Sequence, residues 1–534
     1  MLAASEVVGF AKTGGLADVT GALTPALTGL GEKVAAIIPC YRGIENRFKA
    51  VPTGLKVRIP LLQGEELVEQ TGEILESRLP GGASVFLVKH DGFFNREALY
   101  GNPDGDYSDN CARFTFFCRA VLEFLRLSKW KPDVIHCHDW QTALIPIYLK
   151  TTMRDDPALK GIKTALTIHN LGYQGKFWHW DMKVIGLPWE YFTLDYLEYF
   201  GNINLLKGGI VLADTLTTVS PGYAREIQTE EHGAGLTGPI RARAADLHGI
   251  LNGIDYGIWN PATDRHLPAT YGPDNLTGKA RCKAALQKEL GLLAAPEVPV
   301  IGMISRLADQ KGFDILAEAF ESIMATKAQF VLLGAGERKY HDLFTGLAKK
   351  HPGQAGVRIG FDDGLAHRIE AGSDIFLMPS LYEPCGLNQM ISLKYGTVPV
   401  VRATGGLDDT VKPWAARGGK GNGFKFEPYT PEALVLAIGA ALAAYKKPKE
   451  WPKLMANGMA EDHSWSVAAA EYQALFREML GLKKPAAAQK TAAAKATVSG
   501  AARKAEPKAA PAPRAAARKP APRKSAPRKA VKEE

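Results

Sequence analysis

Residues 298–326 read VPVIGMISRLADQKGFDILAEAFESIMAT. The first eight form a short apolar run rich in β-branched residues, and FDILAEAFESIMAT (313–326) spaces its apolar side chains as a helix does. The stretch therefore predicts a strand, a polar loop and a helix in immediate succession. The same kind of apolar run recurs as VAAIIP (34–39), ASVFLV (83–88), PDVIHCH (132–138), TALTIH (164–169), TLTTVS (215–220), QFVLLG (329–334), DIFLMPS (374–380) and VPVVRA (398–403). Helix-length segments such as ARFTFFCRAVLEFLRL (112–127) lie between them. Strands with no polar alternation are buried on both faces, which is the condition of parallel sheets covered by helices. The fold class is therefore α/β.

At 534 residues the chain exceeds one ordinary core. Two doubly wound, Rossmann-like domains are expected, with a boundary near residue 258 where DYGIWNPATD (255–264) interrupts the periodic segments. The first would span 1–258 and the second 259–453. Residues 454–482 hold MAEDHSWSVAAAEYQALFREML (459–480), which predicts one long amphipathic helix. Residues 483–534 are almost entirely Ala, Pro, Lys, Arg and Ser, with 15 Lys and Arg against 3 Asp and Glu. Such a tail buries too little apolar area to offset its ordering entropy and is expected to be disordered. It carries a net +12 and leaves the first 482 residues at −3, so attraction to nucleic acid or another anionic surface belongs to the tail.

Six cysteines (Cys40, Cys111, Cys118, Cys137, Cys282, Cys385) make no CxxC pair, and no run approaches the length of a membrane span. A reduced, cytoplasmic protein without membrane insertion is expected.

In open parallel sheets, ligands bind beyond the carboxyl ends of the strands. His136, His138 and Asp139, then His169 and Asn170, Ser220, Arg306 with Lys311, and Glu383 all follow predicted strands. Arg306 and Lys311 precede a helix, and two cations at a helix start suit a phosphate group. Glu383 can accept hydrogen bonds from sugar hydroxyls. KTGGLADV (12–19) and ATGGLDDTV (403–411) repeat one turn in which glycines let backbone N–H groups approach a ligand. Neither copy is a Walker loop or a dinucleotide fingerprint, which disfavours an ATPase or a simple dehydrogenase. Asp104-Gly105-Asp106 reads as a solvated turn, and His136-Cys137-His138 lacks further ligands at zinc spacing. No metal and no cofactor are expected.

KTGGLADV, HDW (138–140), TIHNLGYQG (167–175), TVSPGYAREI (218–227), ILNGIDYGIWNP (250–261), SRLADQKG (305–312), EPCGLNQM (383–390) and ATGGLDD (403–409) resemble, in order, the motifs of bacterial glycogen synthases and plant starch synthases that use ADP-glucose. The resemblance implies a GT-B fold of two Rossmann-like domains. It also implies retaining transfer of glucose from ADP-glucose to the non-reducing end of an α-1,4-glucan, and a C-terminal helix crossing back to the first domain. It implies His169, Arg306, Lys311 and Glu383 as catalytic residues. On the donor side it implies Lys12, Gly14, Gly15, Asp18, Asn252, Phe361, Cys385, Gly386, Thr404, Gly405 and Gly406, and on the acceptor side Glu6, Asp139 and Trp140. Three positions depart from the family pattern: the short opening MLAASEV, Phe361 where tyrosine is common, and Ile391 where users of other nucleotide sugars often have a second Glu. The rival readings are another GT-B transferase with a different donor or acceptor, and a polyanion-binding protein acting through its tail.

Overall fold

The computed structural model describes residues 1–102 and 105–482; Asp104 and the tail expected to be disordered lie outside the described residues. The first sheet comprises β1 (Leu2–Ala3), β2 (Ala35–Pro39), β3 (Val51–Gln63), β4 (Glu66–Arg78), β5 (Ser84–Lys89), β6 (Val134–His138), β7 (Lys163–Ile168), β8 (Thr215–Thr218) and β9 (Leu247–Gly249). Its spatial order is β9-β8-β7-β6-β1-β2-β5-β4-β3. Every residue of β2 and β6 is buried, as strands covered on both faces require. The order reverses between β1 and β6, where Leu2 pairs with both Ala36 and His136. A crevice at such a reversal is where the carboxyl ends of neighbouring strands part; Glu6 and Asp139 emerge there, with His169 one strand further on at the end of β7.

The second sheet is wholly parallel: β10 (Val300–Ile304), β11 (Gln329–Gly334), β12 (Ala355–Ile359), β13 (Ile375–Met378), β14 (Val398–Arg402) and β15 (Phe424–Phe426). Its order is β12-β11-β10-β13-β14-β15, with the reversal between β10 and β13. Arg306 and Lys311 follow β10, and Glu383 follows β13. Both switch points thus carry the polar residues singled out in the sequence.

Two expectations need correction. The first sheet is not purely parallel, because β3 and β4 form a long antiparallel hairpin on its edge and β4 runs antiparallel to β5. These strands alternate exposed and buried positions over their inner halves and contain Pro52, Gly54 and Pro60, which an edge strand tolerates and a central strand does not. The segment 459–480 is also not one helix. A helix at Trp451–Met459 ends there, residues 460–464 lie outside any helix, and a second helix occupies Trp465–Met479. The break is held by the Ile254 N–H donating to the His463 carbonyl at 2.7 Å and the His463 N–H donating to the Tyr256 hydroxyl at 2.9 Å. Beyond it, Trp465, Ala468, Ala469, Tyr472 and Leu475 pack on Val19, Leu23 and Leu27 of the helix Gly15–Gly29.

Candidate active site

In the second domain, β10 leads through Arg306 into a single turn at Asp309–Lys311 and then into the helix Phe313–Ala325. Lys311 Nζ donates to Glu383 Oε2 at 2.6 Å, and Ser380 Oγ donates to the same oxygen at 3.0 Å. Glu383 is only 6% exposed, and these two donors satisfy the buried oxygen they share. Arg306 is exposed, and its guanidinium donates to Gln310 Oε1 at 3.2 Å. Gln310 in turn donates to the Tyr382 carbonyl at 3.2 Å, which fixes the loop bearing Arg306 to the loop bearing Glu383. Two cations and one carboxylate therefore line one lip.

The facing wall belongs to the first domain. Asp139 sits at φ +55, an uncommon backbone for a residue with a Cβ, and its Oδ1 accepts the His169 N–H at 2.7 Å. Burial pushes the Asp139 carboxyl up to about 7, although the hydrogen bond from His169 opposes it. His138 Nδ1 and His169 Nε2 lie 2.9 Å apart. Burial lowers His169 to about 3 and His138 well below its ordinary value, so both rings are neutral near pH 7. One of the two facing nitrogens then donates and the other accepts, which leaves Nδ1 of half-buried His169 for a substrate.

Glu6 is buried beneath the first glycine turn. Its Oε2 accepts from the Thr13 N–H at 2.5 Å and the Gly14 N–H at 3.3 Å, and its Oε1 accepts from the Thr13 and Tyr100 hydroxyls at 2.6 Å each. Lys12 Nζ donates to Asp18 Oδ1 at 2.6 Å on the exposed rim. Among the described residues no hydrogen bond or ion pair links Lys12, Thr13, Gly14 or Asp18 to the second domain.

The two TGGL copies prove physically different. A Cβ at Gly14 or Gly15 would meet nothing within 4 Å, so the protein itself does not need glycine there and the space is free for a ligand. A Cβ at Gly405 would come within 2.0 Å of the Glu383 carbonyl, and one at Gly406 within 2.1 Å of the Cys385 carbonyl. The second pair is glycine because the Glu383–Cys385 backbone lies against it. Its donors are also occupied: the Gly405 N–H and Thr404 hydroxyl donate to Glu226 Oε1 at 2.7 and 3.0 Å, and the Gly406 N–H to the Glu383 carbonyl at 3.1 Å. In this conformation those groups hold the protein together rather than stand open to phosphate. Glu226 was not among the expected residues, although it lies in TVSPGYAREI.

Three further contacts bring the walls together. Ser220 Oγ donates to the Pro384 carbonyl at 2.6 Å, the Gly222 N–H donates to Asp409 Oδ2 at 2.5 Å, and the Arg225 guanidinium pairs with Asp409 Oδ1 at 3.4 Å. Asn252 and Cys385 are buried beside one another behind this seam, where burial pushes the thiol up to about 12. Gly386 adopts φ +70 in the same loop. Phe361 stands apart, 95% exposed just past β12. Trp140 is buried, edge-on to Phe114 and Phe177, and so stiffens the wall instead of offering its face. An exposed aromatic group was missed by sequence reasoning: Tyr173, Trp178, Trp180, Trp189 and Phe200, carried on and around a small sheet of Lys176–Trp178, Glu198–Tyr199 and Asn202–Asn204. Its signal was the density of aromatics after TIHNLGYQG.

Comparison with known proteins agrees with this layout. The family model of the starch synthase catalytic domain matches residues 1–242, and that of glycosyl transferases group 1 matches residues 291–454. A glycogen synthase of Koribacter versatilis is 47% identical over 485 residues, covering 90% of this chain and 98% of that protein. The chain belongs to the glycogen and starch synthase family. A glycogen synthase of Anaeromyxobacter dehalogenans is 48% identical over 90% of this chain and 98% of its own length. The catalytic domain of starch synthase IV from Arabidopsis thaliana, solved with ADP and acarbose, superposes with a TM-score of 0.80 at 34% identity, covering 90% of this chain and 99% of that one. These relatives span the pair of domains described above, so the two sheets constitute a GT-B glycosyltransferase fold. No helix among the described residues is long and apolar enough to cross a membrane, and all six cysteines are free and buried.

Proposed function

We propose that this synthase transfers glucose, with retention at the anomeric carbon, from ADP-glucose to the 4-hydroxyl at the non-reducing end of an α-1,4-glucan. The observation that carries the reading is the Lys311–Glu383 pair at 2.6 Å, beside exposed Arg306, with the neutral His169 at the end of β7, next to the strand whose following Ser220 donates to the Pro384 carbonyl. As the anomeric C–O bond breaks, its electron pair passes to the departing diphosphate while the sugar becomes oxocarbenium-like. Arg306 and Lys311 are suited to the growing negative charge, Glu383 to the sugar hydroxyls, and Nδ1 of His169 to a hydrogen bond with the reacting sugar. A neutral imidazole places no positive charge beside an electron-poor sugar. The open space at Gly14 and Gly15, at the start of a fifteen-residue helix, suits a phosphate from the first domain.

ADP-glucose is preferred as donor because position 391 is Ile, not Glu, and because a relative of known structure binds ADP. The exposed aromatic group, reached directly from His169 through Asn170 and Tyr173, suits the apolar faces of glucose rings and supports a glucan acceptor. The division at residue 258 and the crossing segment 454–482 belong to the same reading. The test is incorporation of glucose into glycogen from ADP-glucose and UDP-glucose in parallel. Faster incorporation from ADP-glucose is expected; a preference for UDP-glucose refutes the donor assignment, and no incorporation from either refutes the acceptor.

A further inference from the structure

Away from the cleft, three potential ligand groups converge beside the segment that leaves the first domain. His266 and His367 each offer a ring nitrogen and Asp363 a carboxylate oxygen, and these atoms lie within 4.8 Å of one another. Asp363 and His367 are four residues apart on the helix Asp363–Gly372, hence on one face. His266 arrives on a turn in which its own N–H donates to Asp264 Oδ1 at 2.9 Å.

His367 is the telling member. It is 1% exposed, and its Nδ1 lies 2.7 Å from Asp264 Oδ2, which also accepts the Tyr395 hydroxyl at 2.6 Å. A carboxylate in that place takes the proton-bearing nitrogen, so Nδ1 donates and Nε2 presents a lone pair. Nε2 is buried and has no hydrogen-bond partner. The ring is held by Trp259, stacked at 3.9 Å and 5°. A buried acceptor with no donor is costly unless something occupies it. A carboxylate behind a histidine, fixing its tautomer and orientation, is the outer arrangement that metal-bound histidines have. His266 is half-buried and Asp363 exposed, which leaves an approach from solvent.

We propose that His266, Asp363 and His367 form a binding site for a divalent transition ion of the zinc class. Two imidazoles and one carboxylate suit zinc, with a fourth position left to water. The ion would tie the 259–266 segment to the start of the helix that follows Phe361, where Asp362 already caps the Leu365 N–H at 2.8 Å. Its role is therefore to brace the loop bearing Phe361, outside the groups proposed to react.

The full chain, stripped with a chelator and dialysed, is titrated with Zn²⁺ by calorimetry and with Co²⁺ by visible absorption. Wild type is expected to bind one Zn²⁺ at this site and to develop Co²⁺ d–d bands. His266→Ala and Asp363→Asn, which alter groups outside the core, are expected to bind at least about tenfold more weakly and to lose the bands, and Asp264→Asn to weaken binding about 10- to 100-fold through His367. Thermal melts confirm that each variant is folded. No Zn²⁺ binding at micromolar concentrations overturns the proposal. So does binding with unchanged affinity and Co²⁺ spectrum in His266→Ala, which would assign the ion to another cluster, such as His136, His138 and His169.

Discussion

Replacing Lys311 with alanine tests the charge logic of the cleft directly. The substitution removes the ammonium 2.6 Å from Glu383 and the cation proposed to meet the leaving diphosphate. At an effective dielectric of about 20, unit charges about 4 Å apart interact by about 4 kcal/mol. Deleting one preorganised donor from a charge-developing site commonly costs ~3–4 kcal/mol, so kcat should fall about 10²- to 10³-fold. A second effect acts on the resting protein. Glu383 keeps only the Ser380 hydroxyl among its two side-chain partners while its side chain stays 8% exposed, so the variant should also melt lower. The Lys311 side chain is 20% exposed, which holds that loss below the about 3–5 kcal/mol of a fully buried pair. Glu383→Gln and the double variant separate the two effects, since glutamine removes the orphaned charge without restoring the cation. The assay is initial-rate glucose incorporation at saturating donor, with ADP affinity by calorimetry and a thermal melt for each variant. A folded Lys311→Ala within threefold of wild-type kcat refutes the reasoning. Recovery of both melting temperature and turnover in the double variant also refutes it, by reducing Lys311 to a structural partner of Glu383.

Gly14→Ala should change stability by less than about 0.5 kcal/mol, because its Cβ meets nothing within 4 Å, yet lower donor-dependent kcat/KM by filling ligand space. Gly406→Ala should lose more than about 2 kcal/mol, because its Cβ would sit 2.1 Å from the Cys385 carbonyl; equal melting temperatures would show that the two turns do not differ as argued. Asp139 is raised by burial from 3.8 to about 7, so the folded state keeps a proton that the unfolded chain releases. Its contribution is full below about pH 4 and is lost as pH rises toward 7, with a slope of up to about 1.4 kcal/mol per pH unit. Denaturant unfolding of Asp139→Asn should show a flatter decline across that window, and an unchanged slope would contradict the shift. Deleting residues 483–534 should leave kcat and donor KM within about twofold while weakening salt-sensitive adhesion to nucleic acid or another anionic surface. A large fall in kcat on malto-oligosaccharides would give the tail a catalytic part.

The central strands were legible because each is a short apolar run with no alternation, a pattern that local composition displays without knowledge of partners. The hairpin β3–β4 was not, since Pro52, Gly54 and Pro60 argue against a strand until its edge position is known. The break at 460–464 was legible only in part: Glu461, Asp462, His463 and Ser464 interrupt the apolar spacing, with Ser464 at the N-cap of the second helix, but the Ile254 and Tyr256 contacts that hold it lie about two hundred residues away. At the site, residue types and their placement after strands were readable, including Lys311 and Glu383. Their pairing was not, nor was the burial that makes Trp140 a core residue and His169 a neutral one.

By itself the sequence determined two layered α/β domains and the strand ends on which chemistry can sit, because the strand and helix periods and the turn residues are local properties of the chain. Only the tertiary structure decided which glycine turn leaves room for a ligand. The first glycine pair opens onto empty space, whereas the Gly405 N–H is taken by a Glu226 carboxylate 179 residues earlier. A hydrogen bond between groups so distant in sequence is set by how the two domains pack, and spacing along the chain carries no record of it.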